Sequence, residues 1–257
     1  TVMARIGLAD ELTLEVVEAA RGAERVDLVT ELGPDLPAGT ALGAKGDNLA
    51  VRAAEASLAA RRAADANAAP VEARIRLLKR IPVAAGLGGG SADAGAVVRG
   101  LAELLPAGVD VPRVGRGLGS DVPFMVGDRR AALAKGRGER LTDVSVPRLH
   151  LVLVNPGFAV SAAEAYAGLV GFTPRLRYER AFARLGSGEE PGWPNALQPG
   201  VLRLRPELRG VLAALRGAGL LGALMSGSGP TCFGVARSAG HAAAVATRLA
   251  AEQPSWW

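Results

Sequence analysis

The sequence predicts a layered fold of helices and strands, of the α/β or α+β class, in two parts. Nearly half of the 257 residues are apolar (49%), so the chain can bury a large core. Glycine is abundant (34 residues) and aromatic residues are scarce (4%), which favours close packing of helices against sheets. A change of composition near Val144 indicates a boundary between one domain, 1–143, and a second, 144–257.

The first part is predicted to open with two strands and a helix. Residues 12–17 alternate as in a strand, and 26–29 form a second short apolar run. The segment 46–66 has the apolar spacing of a helix, with Asp47 or Asn48 as its N-cap.

A glycine-rich loop is predicted to join the next strand to the next helix. Residues 73–77 alternate as a strand, and an apolar stripe from Ser91 to Leu105 predicts a helix that ends at Pro106. Four of the five residues from Gly86 to Gly90, between them, are glycine.

The remaining segments continue the mixture of helices and strands. They comprise strand-like pieces up to about Leu141, a buried strand in 148–157, loops between helices in 173–194, a helix, strand, glycine loop and strand in 206–236, and a final helix in 241–252.

Composition and charge exclude several classes of protein. Cys232 is the only cysteine, so neither an internal disulfide nor a cysteine-based zinc cluster can form. The net charge is +5, but basic residues are scattered among acidic ones without interleaved aromatics, which argues against nucleic acid as a partner. A membrane span or signal peptide is not indicated, and we expect a soluble, cytoplasmic protein.

The glycine run has the chemistry of an anion-binding loop. Glycine lets the backbone approach a ligand closely, and the start of a helix presents unpaired N–H groups with a favourable dipole. The alternative, a tight turn packed against a neighbour, accounts for one or two glycines only. Counting from Gly86 or Gly88 puts Ser91 or Asp93 where a dinucleotide fingerprint needs its third glycine, and the lysine of a P-loop is missing. A phosphate loop of a third kind remains.

Three stretches carry a resemblance to a known family. The stretch PVAAGLGGGSADAG resembles the phosphate-binding signature of the galactokinase, homoserine kinase, mevalonate kinase and phosphomevalonate kinase (GHMP) superfamily. Its triple glycine is similar to that of the 4-diphosphocytidyl-2-C-methyl-D-erythritol kinases of the non-mevalonate isoprenoid pathway. GLGSDVPFMV resembles their catalytic-aspartate segment, and LMSGSGPTCFGVA resembles the superfamily's C-terminal glycine motif. The shorter pieces DNLAVRAA, GRGERL and NPGFAVSAAEAY follow in the expected order.

The resemblance implies an enzyme with a two-domain α+β GHMP kinase fold and its active site in the cleft between the domains. It implies ATP-dependent phosphorylation of the 2-hydroxyl of 4-diphosphocytidyl-2-C-methyl-D-erythritol (CDP-ME), with Mg²⁺ arriving on ATP and no dedicated protein metal site. The partner is then a small molecule, without nucleic acid or membrane, and the protein a monomer or homodimer. Two alternatives stay open: another GHMP kinase, acting on homoserine or a mevalonate, and a non-catalytic nucleotide-binding homologue.

The resemblance assigns the catalytic role to Asp121. On sequence grounds alone, this aspartate is more often a turn or cap residue. In the family, it orients the acceptor hydroxyl and accepts its proton. Its expected partner is a lysine in a Pro-Ala-Lys motif, followed in the family by a Gly-Tyr-His segment that helps to hold the cytidine, and neither occurs in the sequence. We therefore expect an upstream segment that carries them.

ATP is expected to bind through the glycine loop and a neighbouring pocket. Asn48, Leu49 and Lys79 fall where the family places its adenine pocket, although Asn48 could equally be a helix cap and Lys79 a solvated strand end. The triphosphate would lie against the loop residues Pro82, Val83, Ala84, Ala85, Gly86, Leu87, Gly88, Gly89, Gly90, Ser91 and Ala92.

The cytidine substrate is expected to bind through the second part of the chain. Tyr166 falls where the family stacks an aromatic ring on cytosine, the alternative being an ordinary core tyrosine. Ala162 stands where a threonine is common, and Ser161 could replace that hydroxyl. The second glycine turn is expected to close over the site and contact the substrate's phosphates, the alternative being a tight turn between strands. This turn comprises Ser226, Gly227, Ser228 and Gly229.

Overall fold

The protein is described by a computed structural model over residues 1–19, 22–36, 40–105, 108–174 and 176–257. These residues form two compact units, one of residues 1–83 and 88–144, the other of residues 84–87 and 145–257. The mixture of helices and strands agrees with the predicted class. The sequence-based domain limits, 1–143 and 144–257, stay a prediction.

A three-stranded sheet forms the centre of the first unit. Strand β4 (Val71–Lys79) lies between an antiparallel neighbour, β2 (Glu11–Glu18), and a parallel neighbour, β3 (Arg25–Leu32). The register pairs Glu11 with Leu78 and Leu32 with Lys79, so the end of β4 lies beside the start of β2 and the end of β3. All three strands were predicted. A short strand, β1 (Val2–Ala4), precedes them.

Two helices, α1 (Leu49–Ala64) and α2 (Gly89–Leu104), supply most of the unit's core with the sheet. Small residues let them approach closely, since Ala53 and Ala94 are fully buried. Both helices were predicted, although α2 begins two residues before Ser91 because Gly89 and Gly90 join its first turn. Pro106, the predicted stop signal, lies outside the described residues.

Two further helices of the first unit were not predicted. They are α3 (Val111–Leu118) and α4 (Val122–Val126), and each has proline in its first turn. Proline fits that position because its missing N–H would be unpaired there anyway. The two helices were not predicted because proline was interpreted only as a residue that ends helices. Strands β5 (Ala131–Lys135) and β6 (Arg140–Asp143) complete the antiparallel sheet β1-β5-β6.

The second unit has its own sheet and core. Strand β9 (Cys232–Ala236) lies between β7 (His150–Val154) and β8 (Leu221–Met225) in an antiparallel sheet. Leu208, Leu215 and Leu220 lie in its buried core. The helix, strand, glycine turn and strand predicted for 206–236 are confirmed, as is the last helix. The prediction of loops in 173–194 is wrong in part, because a helix covers Tyr178–Gly186. The helices are α5 Ala162–Ala167, α6 Tyr178–Gly186, α7 Gln198–Leu204, α8 Leu208–Gly217 and α9 Ala239–Glu252.

Among the residues that the structure describes, no helix is both long enough and apolar enough to cross a membrane.

Candidate active site

The loop between β4 and α2 presents a row of unpaired backbone donors. Ala84, Gly86 and Gly88 have positive φ angles of 52°, 73° and 70°, a conformation that glycine adopts without strain. Within the described ranges, no backbone N–H from Val83 to Ser91 donates a hydrogen bond; the first that does is that of Ala92, to the carbonyl of Gly88. The loop therefore offers its amide hydrogens to an anionic ligand.

A buried cluster of charges lies at the base of this loop. The Lys79 ammonium forms ion pairs with Asp10 Oδ2 and, at 2.8 Å, with Asp93 Oδ2. All three side chains are at most 7% exposed. The alternative that Lys79 is a solvated strand end is therefore wrong, while a contact with adenine stays a prediction.

The two carboxylates of the cluster have opposite pKa shifts. Burial alone would raise the pKa of Asp10, but hydrogen bonds from the Ile81 amide, Lys79 and the Arg80 amide lower it overall. Burial raises the pKa of Asp93 to about 6, because the attraction of Lys79 only partly offsets the lost hydration and the negative charge of Asp10 adds to the rise. Asp93 is thus the carboxylate of the pair that takes up a proton first.

Replacing Asp93 with asparagine is expected to stabilise the protein at neutral pH. The folded state holds the Asp93 proton more tightly than the unfolded chain, whose carboxyl titrates near 3.8. The stability from this group is therefore full below that pH and falls as the pH rises through about 6. D93N removes this fall, and at pH 7.5 its free energy of unfolding should rise by about 2 to 3 kcal/mol.

Urea unfolding of both proteins at several pH values tests this expectation. The advantage of D93N should shrink as the pH is lowered toward 4. Equal or lower stability of D93N at pH 7.5 would show that the buried carboxylate is not destabilising.

Two residues of the expected adenine pocket, Leu49 and Lys79, lie beside the first turn of α2, and Asn48 directly precedes Leu49. Asn48 caps α1, because its Oδ1 accepts a hydrogen bond of 2.9 Å from the Ala50 amide. The cap interpretation is confirmed, and a ligand contact through the amide nitrogen stays a prediction. Leu49 Cδ1 lies 3.6 Å from where a Cβ on Gly90 would be.

Asp121 has an open carboxylate at the start of α4. It is the N-cap of that helix, but its side chain makes no capping hydrogen bond. The residue is exposed to solvent, yet surrounding protein partly desolvates the carboxyl and raises its pKa. A raised pKa suits a group that accepts a proton near neutral pH.

Gly138 fixes the backbone beside Asp121, a contact that the sequence reading did not single out. A Cβ on Gly138 would overlap the Ser120 carbonyl oxygen and lie 2.8 Å from its carbon, and the φ angle is +108°. In the sequence, Gly138 could have been found from the stretch GRGERL, of which it is the second glycine.

In the second unit, the second glycine turn holds the tip of the glycine loop, residues 84–87. The Ser226 hydroxyl donates to the Gly86 carbonyl at 2.9 Å, and the Thr231 amide donates to the Ala85 carbonyl at 3.2 Å. The Ser226 hydroxyl is therefore occupied as a donor, whereas the amides of Gly227 and Ser228 donate to no residue in the described part of the chain. Contact of this turn with substrate stays a prediction.

Three amide side chains that the sequence reading missed support the turn. Asn195 Nδ2 donates to the carbonyls of Met225 and Gly227, both at 2.8 Å. Gln198 Oε1 accepts from the Met225 amide at 2.8 Å, and buried Asn155 donates to Thr231 Oγ1 at 3.0 Å. In the sequence, the stretch NALQ could have indicated Asn195 and Gln198, because these polar residues stand beside apolar ones.

The residues expected to bind cytidine lie around α5. Tyr166 is 64% exposed, so the alternative of a core tyrosine is wrong and its ring is available for stacking. Ser161 caps α5 in a capping box, donating to Glu164 Oε2 at 2.7 Å and accepting from the Glu164 amide at 3.1 Å. Its hydroxyl is thus already in use, and a substrate contact of Ser161 stays a prediction.

Comparison with known proteins decides the family. The family models described as GHMP kinases N terminal domain and GHMP kinases C terminal match residues 48–125 and 177–255. A protein of Deinococcus radiodurans named 4-diphosphocytidyl-2-C-methyl-D-erythritol kinase is 44% identical over 100% of this chain and 82% of its own length. This chain belongs to the CDP-ME kinase family of the GHMP kinases.

Solved structures agree with this family. A crystal structure of 4-(cytidine 5'-diphospho)-2C-methyl-D-erythritol kinase is 37% identical, with a TM-score of 0.79, over 100% of this chain and 87% of that one. A homoserine kinase from Cytophaga hutchinsonii shares the fold, with a TM-score of 0.63 and 19% identity over 94% of this chain and 81% of that one. The resemblance of the three motifs and the GHMP kinase fold are therefore confirmed. This GHMP kinase is a small-molecule kinase that uses ATP.

Proposed function

We propose that this GHMP kinase transfers the γ-phosphoryl group of ATP to the 2-hydroxyl of CDP-ME, a step in isoprenoid precursor synthesis. The family membership supports the substrate class. The observation that carries the proposal is the run of unpaired backbone amides from Val83 to Ser91, which leads directly into the first turn of α2. Such a row of donors at a helix N-terminus suits a triphosphate.

In this proposal the phosphates lie against bare backbone. The amides of Gly88, Gly89 and Gly90 donate to phosphate oxygens, and the helix dipole adds a partial positive charge at the same place. A side chain at Gly89 would be crowded, since its Cβ would lie 3.0 Å from Ile81 and 3.5 Å from Lys79 Nζ.

Mg²⁺ fits the same end of α2. The Ser91 hydroxyl has no hydrogen-bond partner among the described residues, so it is free to serve as an oxygen ligand beside the phosphates. When bound there, the ion would neutralise charge on the phosphate oxygens. The protein's own contribution is to hold the nucleotide and the acceptor in place.

We propose that Asp121 handles the proton of the acceptor. The 2-hydroxyl oxygen attacks the γ-phosphorus, the bond from that phosphorus to the bridging oxygen of ADP breaks, and the hydroxyl proton passes to the Asp121 carboxylate. A carboxyl that makes no capping hydrogen bond and has a raised pKa can accept this proton. Phosphoryl transfer otherwise depends mainly on positioning and charge stabilisation.

The cytidine end of the substrate is assigned to the second unit. The exposed ring of Tyr166 can stack on cytosine, as aromatic rings do on every base. The free amides of Gly227 and Ser228 can donate to the diphosphate of the substrate.

Phosphorus NMR of the reaction mixture tests the proposed function. With ATP, Mg²⁺ and CDP-ME, a phosphate-monoester signal of the product should appear together with ADP. Mevalonate and homoserine should give no product under the same conditions. A monoester from either of these acceptors, with none from CDP-ME, would replace the proposed substrate by another GHMP kinase substrate.

A further inference from the structure

We propose that Lys79, Asp10 and Asp93 form a positioning cluster that fixes the two ends of the phosphate loop relative to each other. This inference rests on the proposed function insofar as it assigns the triphosphate to the loop. The sequence predicted that Lys79 contacts adenine. In this inference its ammonium instead binds two carboxylates and so holds the loop in place.

Asp10 holds the beginning of the loop. Its Oδ1 accepts hydrogen bonds from two successive backbone amides, those of Arg80 at 2.6 Å and Ile81 at 2.9 Å. Its Oδ2 pairs with the Lys79 ammonium. Asp10 precedes β2, so the backbone that leaves β4 is fixed to the neighbouring strand rather than left to solvent.

Asp93 holds the end of the loop. It lies in the second turn of α2 and pairs with Lys79 at 2.8 Å, with only 6% of its side chain exposed. Lys79 Nζ in turn lies 3.5 Å from where a Cβ on Gly89 would be. One ammonium therefore joins the helix that presents the amides to the strand that leads into the loop.

The energetics favour a functional role over a purely structural one. Two buried carboxylates share one ammonium, and a buried ion pair is often less stabilising than apolar side chains of the same volume. The raised pKa of Asp93 shows that its charge is unfavourable where it lies. Carboxyl groups with strongly shifted pKa values cluster at functional sites.

The double variant K79M/D93L tests the cluster without changing net charge. It replaces Lys79 and Asp93 with apolar side chains of similar size. Asp10 loses its ammonium but keeps the Arg80 and Ile81 amides, so the link between β4 and α2 is lost while the hydrogen bonds at the start of the loop remain. Binding of the ATP analogue AMP-PNP, measured by calorimetry, should weaken roughly 10- to 100-fold, the range expected when a hydrogen bond to a charged phosphate is lost. The affinity for CDP-ME should change less than about twofold, a size typical of substitutions far from the affected groups.

K135M is the matched control, because Lys135 is exposed on β5 of the same unit. Its affinity for both ligands should equal that of the wild type. If K79M/D93L does not fold, D93N answers the question: its amide oxygen can still accept from Lys79 but without charge, so AMP-PNP binding should weaken by a few-fold despite the higher stability expected at pH 7.5.

These measurements distinguish a positioning role of the cluster from a purely structural one. Unchanged or tighter AMP-PNP binding in the folded variants would overturn the positioning role and leave the cluster structural, as would equal losses of AMP-PNP and CDP-ME affinity. A wild-type protein that binds AMP-PNP but does not phosphorylate CDP-ME would refute only the proposed function. Failure of the wild type to bind AMP-PNP would overturn both.

Discussion

Replacing Asp121 with alanine is expected to lower turnover with CDP-ME by about 100- to 10,000-fold, the range typical of a lost general base. The substitution removes the only carboxylate assigned to the acceptor's proton. The affinity for AMP-PNP should stay within about threefold of the wild type, because the unpaired amides of the loop are untouched. Steady-state kinetics and calorimetry on the same preparation measure both quantities.

D128A is the control for this substitution, since Asp128 is an exposed aspartate a few residues further along the chain. It should leave turnover and binding unchanged. The rate of the wild type should also fall as the pH is lowered toward the raised pKa of Asp121. Equal losses of AMP-PNP affinity and turnover in D121A would contradict the assigned role.

Gly86→Ala is expected to weaken AMP-PNP binding by about 100-fold, the loss expected when hydrogen bonds to a charged phosphate are broken. A Cβ at this position would overlap the Ser226 carbonyl oxygen and lie 2.6 Å from the Gly229 amide nitrogen. Both atoms are backbone, so neither can rotate away. The loop tip must therefore move, and its amides move with it.

G188A separates this clash from backbone strain. Gly188 has nearly the same φ angle, +74° against +73°, but no atom of the described residues lies within 4 Å of the added Cβ. Its substitution should cost only the left-handed strain of about 1 kcal/mol and leave AMP-PNP binding intact. Calorimetry of both variants makes the comparison. If G86A binds AMP-PNP as G188A does, the close approach of Gly86 to the second glycine turn is irrelevant to nucleotide binding.

Much of the fold could be predicted because periodicity and local signals dominate it. The alternation in 12–17 and 73–77 predicted two strands, and the apolar stripe after Ser91 predicted α2. The errors were also local. Proline in the first turn of α3 and α4 supports a helix as well as it breaks one, and the hydrophobic pattern of these short segments did not decide between the two.

The glycine loop could be predicted because its residues follow one another in the sequence. The parts of the site whose residues are far apart in the sequence could not be predicted. Lys79 looked like a solvated strand end because it is a charged residue at the end of the predicted strand, directly before Arg80. Its burial depends on Asp10, which is 69 positions away in the sequence, and Asp93. The amides of Asn195 and Gln198 likewise acquire their role only when β8 and its turn lie beside them.

A crystal structure with AMP-PNP, Mg²⁺ and CDP-ME bound tests the central claim most directly. The account predicts phosphate oxygens within hydrogen-bond distance of the amides of Gly88 to Ser91, and the 2-hydroxyl of CDP-ME within hydrogen-bond distance of the Asp121 carboxylate. A triphosphate bound away from these amides, or an acceptor hydroxyl that faces a different side chain, would contradict it.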